Sequence, residues 1–186
     1  SLTFTSANWS TAQTVTVTGV DDSIDDGDII YNIITATAVS SDSTYSGLDP
    51  ANVSVTNQDN DTAGITVSQT SGLTTTEALG TATFTVVLTS QPTANVTVGL
   101  NSSDTTEGTV LPPSLIFTTG TWSVAQTVTV TGVDDPVVDG NVTYTIITTV
   151  TNGDSTYIGL NPPDVSVTNT DNDTAGFTLS QTTGLV

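Results

Sequence analysis

The chain has 186 residues, of which 19 are acidic and none is lysine, arginine or histidine, so its formal net charge is −19. Because it lacks basic side chains that neutralise phosphate, nucleic-acid binding and docking onto an anionic membrane are excluded. The absence of cysteine excludes disulfides and thiolate metal sites. Apolar runs stay well short of the roughly 18 residues of a membrane span, so no membrane insertion is predicted for this segment.

The order of the residues predicts an all-β fold, although only 35% of them are apolar. Low hydrophobicity with a high net charge is typical of disordered chains. Here, however, apolar residues alternate with Thr and Ser at a period of two, as in strands with one buried face. We therefore expect ordered β-sheet rather than disorder.

The sequence repeats itself at a spacing of about 112 residues. The stretch SLTFTSANWSTAQTVTVTGVDD at Ser1 matches SLIFTTGTWSVAQTVTVTGVDD at Ser114, and 23 of the first 40 positions are identical at an offset of 113. After a one-residue deletion, Asp42–Thr74 matches Asp154–Val186 at 24 of 33 positions. A unit of this length suits one β-sandwich domain.

The repeat divides the chain into three predicted segments. Residues 1–61 are expected to be the C-terminal part of a preceding repeat, with its last four strands. Residues 62–173 are expected to be a complete repeat, and residues 174–186 the first strand of a following one. The boundaries fall at the two copies of the string DNDTAG. With one complete repeat between two partial ones, the sequence is expected to be a fragment of a tandem array of repeats.

Seven strands are predicted within the complete repeat, separated by turn-forming stretches such as SQPTAN, LPPS and NGDST. They cover residues 64–70, 81–88, 95–101, 114–118, 126–133, 141–150 and 164–169. Seven short alternating strands are typical of a two-sheet antiparallel sandwich of immunoglobulin type. Trp122, just before the fifth strand, is expected to pack on the core or cover an edge, with a ligand platform as the alternative.

Carboxylates concentrate at one pole of this predicted sandwich. Because successive strands run in opposite directions, the connections after the first, third and fifth strands share a pole with the end of the seventh. Only Asp154 and Asp164 of the complete repeat fall elsewhere. The acidic residues at the shared pole are Glu77, Asp104, Glu107, Asp134, Asp135, Asp139, Asp171 and Asp173. The partial first repeat shows the same pattern, with Asp21, Asp22, Asp25, Asp26, Asp28, Asp59 and Asp61.

Such a cluster favours a bound cation, because like charges within about 4–6 Å otherwise oppose ionisation. Ca²⁺ takes 6–8 oxygen ligands and accepts irregular geometry, whereas Mg²⁺ demands a stricter octahedron. Zinc and copper lack the His or Cys ligands that they prefer. The alternative is that each Asp is simply a solvated turn residue, which explains single residues but not their common location.

These residues resemble the Calx-β motif, a calcium-binding sandwich of sodium–calcium exchangers, an integrin and many large bacterial surface proteins. The resemblance rests on TTTEALGTATFTVVLTSQPTANVTV, on QTVTVTGVDD and on the terminal DND. It implies calcium ligands at Glu77, Asp104 or Glu107, Asp134, Asp135, Asp139, Asp171 and Asp173, with an amide or backbone oxygen of Asn172. In the partial repeat it implies Asp21, Asp22, Asp26, Asp59 and Asp61. The loop DDPVVDGN is poorer in charge than is usual in the family, which implies fewer ions or weaker binding.

The leading functional hypothesis is structural. Calcium bound where one repeat continues through DNDTAG into the next would stiffen the joint and offset the repulsion of the acidic chain. The result would be an extended rod in an extracellular or bacterial cell-surface adhesin or fibre, with neighbouring repeats of the same chain as partners. Extracellular calcium modules bind at roughly 10⁻⁴–10⁻³ M.

Three alternatives stay open. The repeat could be a calcium-dependent adhesion module for surface glycans or proteins. It could be a filament subunit in which like chains complete residues 1–61, since bare sheet edges accept strands. An enzyme is not expected, because without Cys, His, Lys or Arg only a carboxylate pair of glycosidase type remains. The two glutamates that could form it, Glu77 and Glu107, lie where calcium is predicted.

Overall fold

The computed structural model describes residues 1–180, 183 and 184. By its internal packing the chain divides into two compact units. The first unit comprises Ser1–Asp22 and Asp26–Asp59, and the second comprises Ser23–Asp25 and the chain from Asn60 onward. Every helix or strand found in the described residues is a β-strand, which confirms the all-β prediction. None of the described residues lies in a helix long and apolar enough to cross a membrane.

The first unit contains one antiparallel strand pair, β1 (Ile29–Ile33) with β2 (Val53–Asn57). The rest of this unit consists of turns and irregular segments. Both strands alternate between exposed and half-buried positions, so the pair has no fully buried face.

The second unit is a β-sandwich. Its strands in chain order are β3 (Ile65–Val67), β4 (Leu73–Thr76), β5 (Thr81–Leu88), β6 (Val96–Ser102), β7 (Gly108–Leu111), β8 (Ser114–Phe117), β9 (Gln126–Gly132), β10 (Val142–Asn152) and β11 (Val165–Thr170). One sheet has the order β4-β11-β10-β6-β8 and the other β3-β5-β9-β7. A single core cluster draws on both sheets, so the predicted sandwich is confirmed.

The period-2 pattern accounts for this core. On β5, Phe84, Val86 and Leu88 are buried, and on β9 Val128 and Val130 are buried, while the residues between them face outward. Burying each such side chain contributes about 1.5–3 kcal/mol relative to leaving it exposed. Trp122 is half-buried against the same cluster, as expected for a residue that covers the core.

The predicted strand count and one strand direction are wrong. The second unit has nine strands among its described residues rather than seven. The predicted strand at 64–70 ends at Val67, and the chain resumes as β4 after Gly72, whose positive φ of 76° interrupts an extended chain. β4 then lies parallel to β11, so the sandwich is not wholly antiparallel. The other missed strand is β7, which has four residues and begins at a glycine, a residue that is depleted in strands.

The predicted segment boundaries at 61–62 and 173–174 stay predictions. Residues 174–180 form no strand. In the segment 174–186, which we expect to begin a following repeat, Gln181, Thr182, Leu185 and Val186 lie outside the described residues.

Candidate metal centre

Three carboxylates from two distant segments meet at one end of the five-stranded sheet. Glu77 directly follows β4, and Asp171 and Asp173 follow β11. Because β4 and β11 are parallel neighbours, their carboxyl ends lie side by side and bring these residues together. Each contributes an oxygen, and the three oxygens lie within 4.8 Å of one another. We call Glu77, Asp171 and Asp173 the first carboxylate cluster.

Glu77 is almost fully buried in this cluster, with 2% of its surface exposed. Its Oε2 accepts a hydrogen bond from the N–H of Asn172 at 2.8 Å, and this bond lowers the pKa of Glu77. Burial and the charges of Asp171, Asp135 and Asp173 act in the opposite direction, and the net shift of the pKa is upward. The fold therefore opposes the charge on Glu77.

Asp173 has a polar atom without a protein partner. Its Oδ2 is buried and has no hydrogen-bond partner among the described residues. Burial, followed by the charges of Asp171, Asp134, Asp135 and Asp139, raises the pKa of Asp173. An unsatisfied buried carboxylate oxygen is costly, and a cation is a partner that would satisfy it.

Asp171 is held in its charged form. The N–H groups of Asp173 and Gly140 donate to its two oxygens, each at 2.7 Å, and they lower the pKa of Asp171. One stabilised carboxylate thus lies beside two carboxylates whose ionisation is opposed. A cation would relieve this repulsion while leaving the hydrogen bonds to Asp171 in place.

A second carboxylate cluster consists of Glu107, Asp135 and Asp139, whose contributing oxygens also lie within 4.8 Å of one another. Glu107 precedes β7, and the two aspartates lie between β9 and β10. The pairing of β7 with β9 brings them together, and the N–H of Val133 donates to the Glu107 carbonyl at 3.0 Å. Glu107 is 5% exposed, and its Oε2 accepts from Asn169 Nδ2 at 3.3 Å.

Asn172 and Asp134 join the loops that carry the two clusters. Asn172 Nδ2 donates to Asp134 Oδ1 at 3.2 Å, which ties the segment after β11 to the loop after β9. The two residues were candidate ligands from the sequence, and the structure places both beside the clusters rather than within either group of three.

Asp104 lies outside both clusters and caps a turn. Its Oδ1 accepts from the hydroxyl of Thr106 at 2.5 Å and from the N–H of the same residue at 3.0 Å, and these bonds lower the pKa of Asp104. This is the local chemistry of an Asx turn. This geometry agrees with the turn-residue alternative for Asp104, and Glu107 is the residue that lies within a group of three carboxylates.

The acidic residues of the first unit are arranged differently. Asp59 Oδ2 accepts from the N–H groups of Asp26 and Gly27 at 3.0 and 2.7 Å, much as Asp171 accepts from Gly140. Among the described residues of this unit, no three carboxylates converge within 4.8 Å, so its candidate ligands Asp21, Asp22, Asp26 and Asp59 form no such group. Asp61 belongs to the second unit and to neither carboxylate cluster.

Sequence reasoning missed one residue of the second cluster's surroundings, Asn169. It is buried at the end of β11, and besides Glu107 its Nδ2 donates to the Val133 carbonyl at 3.0 Å. The signal was present in the sequence, because an amide interrupts the alternation of VSVTN at the same place in both repeats, Asn57 and Asn169.

No protein-family model and no curated protein matches the chain. Among solved structures, the apo form of the Calx CBD1 domain is 17% identical, with 60% of this chain and 98% of that domain aligned at a TM-score of 0.43. The E. coli chaperone DraB is 11% identical over 58% of this chain, at a TM-score of 0.41, and the chain spans 55% of its length. Domains 4 and 5 of the S-layer protein SbsC are 24% identical over 67% of this chain and 59% of theirs, at a TM-score of 0.35. These distant likenesses concern the β-sandwich fold and carry no argument about function.

Proposed function

We propose that the second unit is a calcium-binding structural module of an extracellular or cell-surface protein. The observation that carries the proposal is the buried, unpartnered Oδ2 of Asp173 within a group of carboxylates. Every side chain in the two clusters offers carboxylate oxygens, which are the ligands of Ca²⁺. Calcium is preferred over Mg²⁺ because the donors come from irregular loops of differing burial rather than from a regular octahedral arrangement.

The first cluster would hold one ion through Glu77, Asp171 and Asp173. The second cluster would hold another through Glu107, Asp135 and Asp139. A bound ion supplies the positive charge that each cluster lacks. The ion in the first cluster would link the end of β4 to the segment after β11, and the ion in the second would link the start of β7 to the loop after β9.

The structural consequence concerns the chain that leaves the sandwich. Asp171 and Asp173 are the first and third residues after β11, and residues 174–180 beyond them have no regular structure. Fixing the two aspartates on an ion would restrict the direction in which the chain continues. In a tandem array of such repeats this restriction would stiffen each joint and favour an extended rod, with neighbouring repeats as the partners.

A catalytic role for the carboxylates is not part of this proposal. Glu77 and Glu107 are the two glutamates from which a glycosidase-type pair could be built. Both side chains are nearly buried, so a glycosidic bond has little access to them. We therefore assign them to cation binding.

Calorimetric titration of the 186-residue chain with CaCl₂ tests the proposal. We expect saturable binding with a Kd of about 10⁻⁴–10⁻³ M, weakened at least about tenfold, or 1.4 kcal/mol, by Glu77→Gln or Asp173→Asn. Asp164→Asn is the matched control, because it removes one charge outside the clusters. The counterpart of Asp164 is already Asn52, whose Oδ1 accepts from Thr35 N–H at 3.0 Å. Equal affinity in all four proteins would contradict the proposal.

A further inference from the structure

The first unit reproduces the strand pair that ends the second unit. The residues that pair between β1 and β2 are the counterparts, at offsets of 113 and 112, of those that pair between β10 and β11. Asn57 Nδ2 donates to the Val20 carbonyl at 2.9 Å, and its counterpart Asn169 donates to the Val133 carbonyl at 3.0 Å. The first unit therefore reproduces the β10–β11 pair of the sandwich, whereas its residues 1–4 and 13–19, the counterparts of β8 and β9, form no strand.

The two units differ in the burial of their corresponding residues. Phe4 and Tyr45 are 55% and 57% exposed, whereas their counterparts Phe117 and Tyr157 are 0% and 1% exposed. The same contrast holds for further apolar residues of the first unit, which are exposed although their counterparts are buried: Leu2, Val15, Val17 and Val53. These six side chains expose apolar surface at positions that the second unit buries in its core, and extensive exposed apolar surface marks a site of contact.

The first unit has a cavity beside Tyr31 and Asn57, at the place where Thr75 lies beside their counterparts in the second unit. Tyr31 and Asn57 help to line a cavity of about 390 Å³. Their counterparts Tyr144 and Asn169 are buried and share Thr75 of β4. Thr75 Oγ1 lies 3.2 Å from Tyr144 Oη and donates to Asn169 Oδ1 at 3.0 Å. In the second unit, therefore, a Leu-Thr-Thr-Thr strand occupies this place.

The turn after β5 makes hydrogen bonds in the second unit with residues whose counterparts in the first unit are exposed. Tyr157 Oη donates to the Ser90 carbonyl at 2.7 Å, and Asp154 accepts from the N–H of Thr93 at 2.6 Å and from its hydroxyl. Ser90 and Thr93 belong to the turn after β5, in the sequence SQPT. The counterparts of the tyrosine and the aspartate in the first unit are both exposed: Tyr45 and Asp42.

We propose that the first unit is an acceptor for a β-segment with the sequence pattern of residues 64–113, joined to its amino-terminal side in the same polypeptide. The Leu-Thr-Thr-Thr strand of that segment lies parallel to β2, with a threonine opposite Asn57, as Thr75 lies opposite Asn169. Its Ser-Gln-Pro-Thr turn bonds to Tyr45 and Asp42. The proposal does not depend on calcium.

Connectivity favours a source in the same polypeptide. In the second unit the Pro113 carbonyl accepts from Leu100 N–H at 2.9 Å, and the next residue, Ser114, pairs with Gly99. The donated segment therefore ends against its own sheet directly before Ser114, the counterpart of Ser1. A covalent connection makes this docking intramolecular, whereas a separate chain would have to reach the same point at its solution concentration.

A fusion protein tests the proposal in the presence of chelator. A second copy of residues 62–113 is placed before Ser1 of the whole chain, and Trp122→Phe leaves Trp9, which is 70% exposed, as the only tryptophan. We expect the Trp9 emission to shift to shorter wavelength and amide exchange in β2 to slow by at least about tenfold. The matched control carries aspartates in the added copy at the positions of Phe84 and Val86, which removes the apolar face of the donor.

Each outcome is decisive. A shift and slowed exchange in the fusion, absent from the control, support the proposal. Unchanged emission and exchange in the fusion overturn it. The proposal also fails if the unfused chain buries Trp9 by forming a concentration-dependent dimer, because a second copy would then be the occupant. It fails likewise if the added segment protects β2 only when supplied as a separate polypeptide.

Discussion

At the scale of single residues, Glu77 and Asp173 are carboxylates whose charge the apo fold opposes. The hydrogen bond from Asn172 lowers the pKa of Glu77, but burial and neighbouring charges together outweigh this bond, so the net shift of the pKa is upward. Burial, followed by neighbouring charges, raises the pKa of Asp173. Protons and cations therefore compete for the same oxygens, and either one relieves the repulsion.

Glu77→Gln should separate apo stability from the calcium response. In chelator the melting temperature of the variant should rise by a few degrees, because the substitution removes a charge that its neighbours repel. In calcium the variant should gain less stability than the unmodified chain, because it has lost a ligand. Calorimetric melting in both conditions measures this, and a lower melting temperature in chelator would contradict it.

Asp154→Asn tests the opposite kind of carboxylate. The hydroxyl of Thr93, followed by the N–H of Thr156, holds the pKa of Asp154 well below its ordinary value of about 3.8. Because the folded-state pKa is depressed, the stabilisation is present above the ordinary pKa and is lost as the pH falls through the folded-state value. The substitution should cost about 1–2 kcal/mol at pH 7.

The pH dependence of that cost is the check. The difference in unfolding free energy between the two proteins should be constant from pH 7 to pH 5 and should narrow below the ordinary pKa of Asp154. Denaturant unfolding of both proteins, from pH 7 to below the ordinary pKa of Asp154, measures this difference. A difference that widens towards acid would show that the carboxylate is not held in its charged form.

At the scale of elements, the alternation of apolar and polar residues predicted the long strands. The opposite directions of successive strands predicted that the carboxylates share a pole. The alternation did not predict the separate strand β4 after Gly72, because the local pattern of the sequence LTTT does not show which strand it pairs with. The parallel pairing of β4 with β11 is nevertheless what brings Glu77 beside Asp171. The bonds of Asp104 are local, since its partner Thr106 is only two residues away, and its role as a calcium ligand stays a prediction.

Gly132→Ala should disturb this arrangement of strands. A Cβ at Gly132 would collide with the Thr76 carbonyl and with Asn169 Oδ1, so β9 and β4 would have to separate next to Glu77. Overpacking of this kind costs about 1–3 kcal/mol, and calcium affinity should fall with it. Gly120→Ala is the control, because a Cβ there meets nothing within 4 Å. Denaturant unfolding and calcium titration of both variants measure the effect, and equal behaviour would contradict the role given to Gly132.

At the scale of the whole molecule, a net charge of −19 with no basic residue makes the chain repel itself. Self-repulsion destabilises the compact state and is screened by salt. The two units also differ in regular structure, since the first has only the strand pair β1–β2 and the second has two packed sheets.

Ionic strength should therefore matter more without calcium than with it. In chelator, raising NaCl from about 10 mM to 150 mM shortens the Debye length from roughly 30 Å to 8 Å, and the melting temperature should rise. In saturating calcium the rise should be smaller, because the ions already neutralise the clusters. Equal salt dependence in the two conditions would indicate that calcium acts only by general screening.

The central claim is that calcium is held by the two carboxylate clusters, and an NMR titration of the amide groups tests it most directly. We predict saturable shifts at Glu77, Asp171 and Asp173 and at Glu107, Asp135 and Asp139. Asp42 and Asp49, which lie outside the clusters, should respond little. Small, unsaturable shifts spread evenly over all the acidic residues would contradict the claim.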